Sequence, residues 1–178
     1  MCNTKSEIPS NLDHLAGLLQ AAGNSLSIET LKSVCARMSG RGHVAILRQP
    51  YLEKMTAGEK TIESRLTKNR VAPFGKISEG DIVFLKEAAG PVKAVAIVGL
   101  AEFFGTLNPG EVVGLLEERR EGLALENDFA RSKEGARYAT FLHFASLLKI
   151  KPFRLLKSSR EAWIVLADNE DVAAACLK

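Results

Sequence analysis

From His43 onward, strand-like runs and helix-like segments follow one another without a regular β-α-β alternation. Short runs rich in aliphatic and β-branched residues indicate strands, and the helical patterns between them are unevenly spaced. This order argues against a parallel sheet of βαβ units, so we predict an α+β fold built on a mostly antiparallel β-barrel. The predicted strands are residues 44–47, 60–66, 82–85, 92–103, 140–148 and 162–166.

The predicted helices between these strands are short and have recognisable ends. Pro50 suits the first turn of a helix that Gly58 ends. Asn108 is a good N-cap for a helix that starts at Pro109. A weaker helical pattern covers residues 126–134. We therefore expect peripheral helices around the barrel.

The first forty residues have a different character, because their apolar residues recur at helical spacing. Leu12, Leu15, Leu18 and Leu19 share one face of a helix. Ser27 can cap a second helix. We predict an N-terminal helical hairpin over 1–40, a barrel domain over 41–168 and a C-terminal tail over 169–178. Because two short helices are marginal alone in water, the hairpin should cover an apolar surface of the barrel or of a partner chain.

Charge is unevenly distributed along the chain. Residues 41–76 contain eight Lys or Arg against three acidic residues, and residues 149–160 contain five Lys or Arg and no acid. If the two segments lie side by side, they form an electropositive face suited to phosphate. If they lie apart, the charges only solvate separate surfaces.

Several classes of protein are disfavoured by composition. Cys2, Cys35 and Cys176 are far apart and form no metal-ligand or disulfide spacing. The start of the chain has neither the basic residues nor the apolar run of a signal peptide, and no stretch is apolar enough to span a bilayer. We expect a cytoplasmic protein with no metal, no cofactor and no membrane association. The sequence leaves the oligomeric state open.

Lys60, Glu63 and Arg65 are the candidate functional residues. Side chains alternate along a strand, so Glu63 and Arg65 point to the same side, and Lys60 follows the turn at Gly58. Such a cluster can bind an anion through Lys and Arg while Glu accepts hydrogen bonds. Alternatively, Glu63 and Arg65 form only an ion pair and Lys60 is an ordinary solvated lysine.

The stretch from Gly58 to Arg65 resembles the ASCH domain family, part of the PUA-like group. That family has a short helix followed by a G-x-K-x-x-E-x-R-like pattern, which Gly58, Lys60, Glu63 and Arg65 match. Gly80-Asp81 before a strand resembles the next landmark, and residues 151–153 and 162–165 look like the closing strands. The resemblance covers about residues 43–167. It implies the PUA-like barrel and a cleft whose ligand-binding residues are Arg48, Gln49, Tyr51, Gly58, Lys60, Glu63 and Arg65.

The family is diverse, so the resemblance implies two functions. One is binding of RNA or of a small nucleotide or nucleoside in the cleft. The other is hydrolysis of a modified nucleoside, N4-acetylcytidine, or of RNA, with Lys60 as base or nucleophile and Glu63 and Glu126 assisting. The amidohydrolase-like members carry a Thr where this chain has Glu63. A carboxylate there should raise the pKa of Lys60 and keep it charged, which favours binding over catalysis.

Overall fold

A computed structural model describes residues 7–38, 41–157 and 161–166 of the chain. These residues form a seven-stranded sheet flanked by six helices. The predicted tail over 169–178 lies outside these residues, as does the junction at 39–40. The helices are α1 (Glu7–Ala22), α2 (Ile28–Arg37), α3 (Tyr51–Thr56), α4 (Pro109–Glu118), α5 (Arg120–Leu123) and α6 (Phe129–Ser132). The strands are β1 (Ser25–Ser27), β2 (Gly42–Leu47), β3 (Ile62–Thr67), β4 (Ile82–Glu87), β5 (Val92–Gly105), β6 (Tyr138–Leu156) and β7 (Trp163–Leu166).

The sheet is mostly antiparallel, as predicted, but it does not close. Its order is β1-β6-β5-β4-β2-β7, and β3 pairs with β6 off this path. Four of the six pairings are antiparallel, and only β1–β6 and β2–β4 are parallel. The α+β class is therefore confirmed and a closed barrel is not. Within the described residues β3 and β2 do not pair, and the Arg65 side chain crosses between them instead, donating to the Ile46 carbonyl at 3.0 Å.

The central strands are covered on both faces, which explains their continuous apolar sequence. On β2, Val44 packs into the core beneath α1 and α2, while the next residue, Ala45, packs into the core that contains α3 residues and Trp163. A third core lies between β3, β6 and helices α4–α6 and includes Phe141 and Leu116. Trp163, which is 6% exposed, belongs to the core that contains the α3 residues.

The N-terminal segment is part of the main core and is not a plain hairpin. Its two helices are joined by β1, which extends the sheet by pairing with Leu155 and its neighbours on β6. Leu15 and Leu31 are fully buried in one cluster with Phe84 of β4. Ser27 caps α2 as predicted, accepting from the Thr30 amide at 3.1 Å. The short β1, with the sequence Ser-Leu-Ser, has too little pattern to be predicted.

Two other helix predictions need adjustment. Pro50 is the residue before α3 and not within its first turn. The predicted helix over 126–134 is reduced to the four residues of α6, preceded by α5. By contrast, Asn108 caps α4 in a full capping box with Glu111, as its sequence indicates.

Candidate functional site

A cleft of about 860 Å³ lies where β2 and β3 face each other without pairing. Ile46 and Leu47 of β2 form one side, and Ser64, Arg65 and Leu66 of β3 form the other. The failure of the sheet to close therefore produces the concave surface. Helices α3, α5 and α6, the end of β4 with the turn after it, and the segment around Lys157 supply other parts of its lining.

Lys60, Glu63 and Arg65 converge on this cleft. Gly58, with φ at +81°, turns the chain at the end of α3, and the Lys60 amide then donates to the Lys54 carbonyl. The Lys60 Nζ donates to the Ile62 carbonyl and lies 3.5 Å from Glu63 Oε2. Glu63 Oε1 is 3.0 Å from Arg65 Nη2. Glu63 therefore bridges two cations, and we call these three residues the triad.

Two members of the triad are buried and Arg65 is half-buried, and burial is the main influence on the pKa of Lys60. Lys60 is 5% exposed and Glu63 is 6% exposed. Removal from water lowers the pKa of Lys60, and the opposing effect of Glu63 does not outweigh it; Arg65 and Lys54 lower it further. The expectation that Glu63 raises the pKa of Lys60 above its ordinary value is wrong, because desolvation is the larger effect. Lys60 is thus easier to deprotonate than a surface lysine.

Arg65 is held by a second set of contacts. Its guanidinium lies over the Trp163 ring, 5.1 Å from the centroid, and also reaches the Ala162 carbonyl at 3.3 Å. Its Nε is buried and has no hydrogen-bond partner in the described part of the chain. These carbonyl and ring contacts hold the Arg65 guanidinium in place at the edge of the cleft.

Behind Trp163 is a buried polar network. Trp163 Nε1 donates to His43 Nδ1 at 3.3 Å, and His43 Nε2 is 3.1 Å from Asp81 Oδ2. Because indole can only donate, His43 Nδ1 must accept, and its Nε2 carries the proton donated to Asp81. Asp81 also accepts from the Ser78 amide at 2.8 Å. The network explains why His43, which has no exposed surface, is satisfied in the core.

Aromatic residues form another wall of the cleft. The Tyr51 ring lies 6.2 Å from Phe129 in an edge arrangement and 6.0 Å from the Lys60 Nζ. Burial, followed by the nearby carboxylates of Glu126 and Glu63, raises the pKa of Tyr51. The Tyr51 hydroxyl therefore stays protonated at neutral pH. Tyr51 and Phe129 both line the cleft.

The cleft contains more positive charge than the sequence motif indicated. Its basic lining residues are Arg48, Lys60, Arg65, Lys86, Lys133 and Lys157, against the acidic Glu63 and Glu161. Lys157 belongs to the basic segment 149–160 and lines the same cleft as Arg48, Lys60 and Arg65 of the segment 41–76. Part of the first segment therefore lies close to the second, as the hypothesis of a shared electropositive face requires. Lys86, Lys133 and Phe129 carried no signal in the sequence, because only tertiary packing brings β4 and α6 to this surface.

Three predicted site residues do not line the cleft. Gln49 is engaged elsewhere, donating to the Glu87 carboxylate at 3.0 Å. Gly58 has the structural role of ending α3. Glu126 lies 3.6 Å from the Lys54 Nζ, and its side chain is 61% exposed. The structure therefore brings Arg48, Tyr51 and the triad together and leaves these three outside.

Neither a metal-ligand cluster nor a membrane-spanning helix is present in the described residues. They contain no group of three or more His, Cys, Asp or Glu side chains that could hold a metal ion. None of the helices described above is long and apolar enough to cross a bilayer.

Comparison with known proteins gives matches at the level of structure. No protein-family model and no curated protein matches the sequence. The crystal structure of ASCH from Zymomonas mobilis is 17% identical, with a TM-score of 0.56, and the match covers 76% of this chain and 94% of that chain. A serine-to-alanine variant of the same protein is 18% identical over 76% of this chain and 95% of that one, also with a TM-score of 0.56. The chain therefore has the fold of the ASCH domain, as its Gly58–Arg65 motif indicated.

Proposed function

We propose that the cleft binds a nucleotide or the end of a single-stranded RNA. The observation that carries the proposal is the charge of the lining, in which six basic side chains face two acidic ones. Concave, low-dielectric surfaces of one charge attract ligands of the opposite charge. A phosphate-bearing ligand offers that charge.

The other contents of the cleft suit the remainder of a nucleotide. Tyr51 and Phe129 provide apolar ring surface, on which a base can stack. Arg65 provides a guanidinium that lies over the Trp163 ring and lines the cleft. Because Arg65 is already ordered, little side-chain entropy is lost when it binds.

The test is binding of labelled single-stranded RNA and of ribonucleotides over a range of salt concentration. If about four phosphates are neutralised, log affinity should fall against log salt with a slope of about −3. Arg65→Met should weaken binding, whereas Arg137→Met, which removes an exposed arginine outside the cleft, should not. Absence of binding at low salt, or an equal effect of both variants, would refute the proposal.

A second candidate, hydrolysis, is supported by one observation, the lowered pKa of Lys60. A neutral lysine can accept a proton or act as a nucleophile, which a charged one cannot. The exposed position of Glu126, outside the cleft, counts against its predicted assisting role. The assay is release of cytidine from N4-acetylcytidine by the wild type and by Lys60→Met, with the RNA of the binding experiment checked for cleavage on a gel. Turnover that Lys60→Met abolishes would establish an enzyme; no turnover and intact RNA would leave binding as the function.

A further inference from the structure

Lys86 is a second buried lysine in the cleft, separate from the triad. It pairs with Ile46 in the β2–β4 ladder, next to an irregularity in the β4–β5 register between Leu85 and Lys86. Such irregularities redirect side chains. Leu85 is fully buried in the core, whereas Lys86, though only 7% exposed, lines the cleft. The local geometry thus directs a cation to this surface.

Lys86 has no carboxylate partner among the described residues. Its Nζ donates to the Glu87 backbone carbonyl at 2.9 Å. The Glu87 carboxylate is instead held by Lys93 at 2.6 Å and by Gln49 at 3.0 Å. Among the described residues the Lys86 ammonium therefore has a backbone acceptor and the longer-range attraction of Glu87, but no close ion pair, and it remains able to bind an anion.

Lys157 brings a second positive charge to the same part of the cleft. Its Nζ donates to the Glu161 carbonyl at 3.1 Å, again a backbone oxygen. Burial lowers the pKa of Lys86 and the nearby charge of Lys157 lowers it further, while the Glu87 carboxylate only partly opposes them. The two ammonium groups therefore repel each other until an anion lies between them.

We propose that Lys86 and Lys157 form a phosphate-monoester subsite, so that the ligand of the cleft is a nucleotide with a terminal phosphate. The proposal rests on the proposed function and specifies its ligand. A terminal phosphate carries a charge of about −1.5 to −2 at neutral pH, which two lysines match, whereas an internal phosphodiester carries only one. Lysine binds phosphate as a point charge with several donors, and neither lysine has an ion pair within the described residues that would have to break.

The subsite lies beside the triad and does not overlap it. Ile46 separates the two, because Lys86 pairs with Ile46 on one side of β2 and Arg65 donates to the Ile46 carbonyl from the other. A nucleotide could therefore place its phosphate at Lys86 and Lys157 and its base towards Tyr51 and the triad. This arrangement predicts that the phosphate and the nucleoside contribute separately to affinity.

The experiment measures binding of three probe sets by calorimetry: the four ribonucleosides, their 3′- and 5′-monophosphates, and the methyl phosphodiesters of those monophosphates. These are tested on the wild type, on the double variant Lys86→Met/Lys157→Met, and on the control Lys149→Met/Lys151→Met. The control removes two exposed lysines of β6 outside the cleft and so the same net charge. We expect at least one monophosphate to bind about 10- to 100-fold more tightly than its nucleoside, the range that charged hydrogen bonds supply. The cleft double variant should lose that advantage and the control should keep it.

The other outcomes contradict the subsite, its assignment to these two lysines, or the proposed function itself. If nucleosides or diesters bind as tightly as monophosphates, the subsite is wrong while the proposed function stands. If the monophosphate advantage survives in the cleft double variant, its assignment to these lysines is wrong. If no probe binds the wild type and RNA does not bind either, the proposed function fails and the subsite with it. Lys86→Gln/Lys157→Gln provides the same test should the methionine variant fail to fold.

Discussion

Replacing Glu63 by Gln tests whether the triad is a buried electrostatic unit. The change keeps the shape of the side chain and removes the negative charge that lies 3.5 Å from Lys60 and 3.0 Å from Arg65. Lys60 would then be a buried cation that keeps the Ile62 carbonyl and the more distant Tyr51 ring but has no close negative charge among the described residues. Arg65 would keep the Ile46 and Ala162 carbonyls and the Trp163 ring. Most of the cost should therefore arise at Lys60.

The size of the effect follows from burial. Removing one partner of a buried ion pair costs about 3–5 kcal/mol, because an uncompensated charge stays behind. For a domain of this size, each kcal/mol lowers the melting temperature by about 2–4 °C. We therefore expect Glu63→Gln to lower it by about 6–20 °C. Replacing Lys60 by Met as well should recover much of the loss, since the isolated charge is then gone.

The measurement is urea denaturation of wild type, Glu63→Gln, Lys60→Met and the double variant, read as a double-mutant cycle. Glu117→Gln is the matched control, because it breaks an exposed pair with Arg120 and should change stability little. A loss for Glu63→Gln below about 1 kcal/mol, the range of exposed pairs, would refute the reasoning. So would a double variant that is no more stable than Glu63→Gln alone.

Two further predictions concern pH and the N-terminal segment. Because the pKa of Lys60 is lower in the folded chain than its ordinary 10.5, the unfolded chain binds more protons between those two values, so stability should rise with pH there. In denaturation measured over a range of pH, Lys60→Met should remove the part of the rise in stability that Lys60 causes. A stability profile that is the same in the variant and the wild type would contradict this prediction. Leu15→Ala should cost about 2–5 kcal/mol, because Leu15 is fully buried against the sheet core. If it costs no more than Gln20→Ala on the exposed face of α1, the segment does not contribute to the core.

Local patterns predicted those features that depend on neighbouring residues. Alternation placed Glu63 and Arg65 on one side of β3, and the caps at Ser27 and Asn108 follow from side chains that satisfy amides two or three residues away. The unclosed sheet was not predictable in this way. β3 is attached to the sheet through β6, and β2 through β4. Whether β2 and β3 pair therefore depends on the course of the whole sheet and not on their own sequences.

Local sequence patterns predicted the lining of the cleft only in part. Lys86 lies just beyond the predicted strand over 82–85, and Lys133 and Phe129 lie in a segment whose helical pattern was weak. Their approach to Tyr51 is fixed by packing of α6 against α4, which no local pattern encodes. Conversely, Glu126 looked suitable by sequence position and lies outside the cleft. The sequence also predicted the wrong direction for the pKa of Lys60. It showed the neighbouring Glu63, which raises the pKa, but not the burial in the folded chain, which lowers it more.

Trp163 connects the buried network to the cleft, and two substitutions separate its roles. Trp163→Phe keeps an aromatic face beneath Arg65 but removes the donor to His43 Nδ1, leaving a buried acceptor unsatisfied. Trp163→Leu removes both. Each variant should lose about 1–3 kcal/mol from the orphaned acceptor, in addition to the effect of lost volume. Only Trp163→Leu should also weaken nucleotide binding, because Arg65 then loses the surface that fixes its guanidinium.

The comparison distinguishes positioning of Arg65 from general destabilisation. If stability alone governed binding, the two variants would lose affinity in proportion to their loss of stability. If the ring face positions Arg65, Trp163→Phe should keep the affinity of the wild type and Trp163→Leu should lose it, when both are measured well below their melting temperatures. Equal affinities for the Phe and Leu variants would show that the Ile46 and Ala162 carbonyls suffice to hold Arg65. The buried Asp81–His43–Trp163 network would then serve the core and not the cleft.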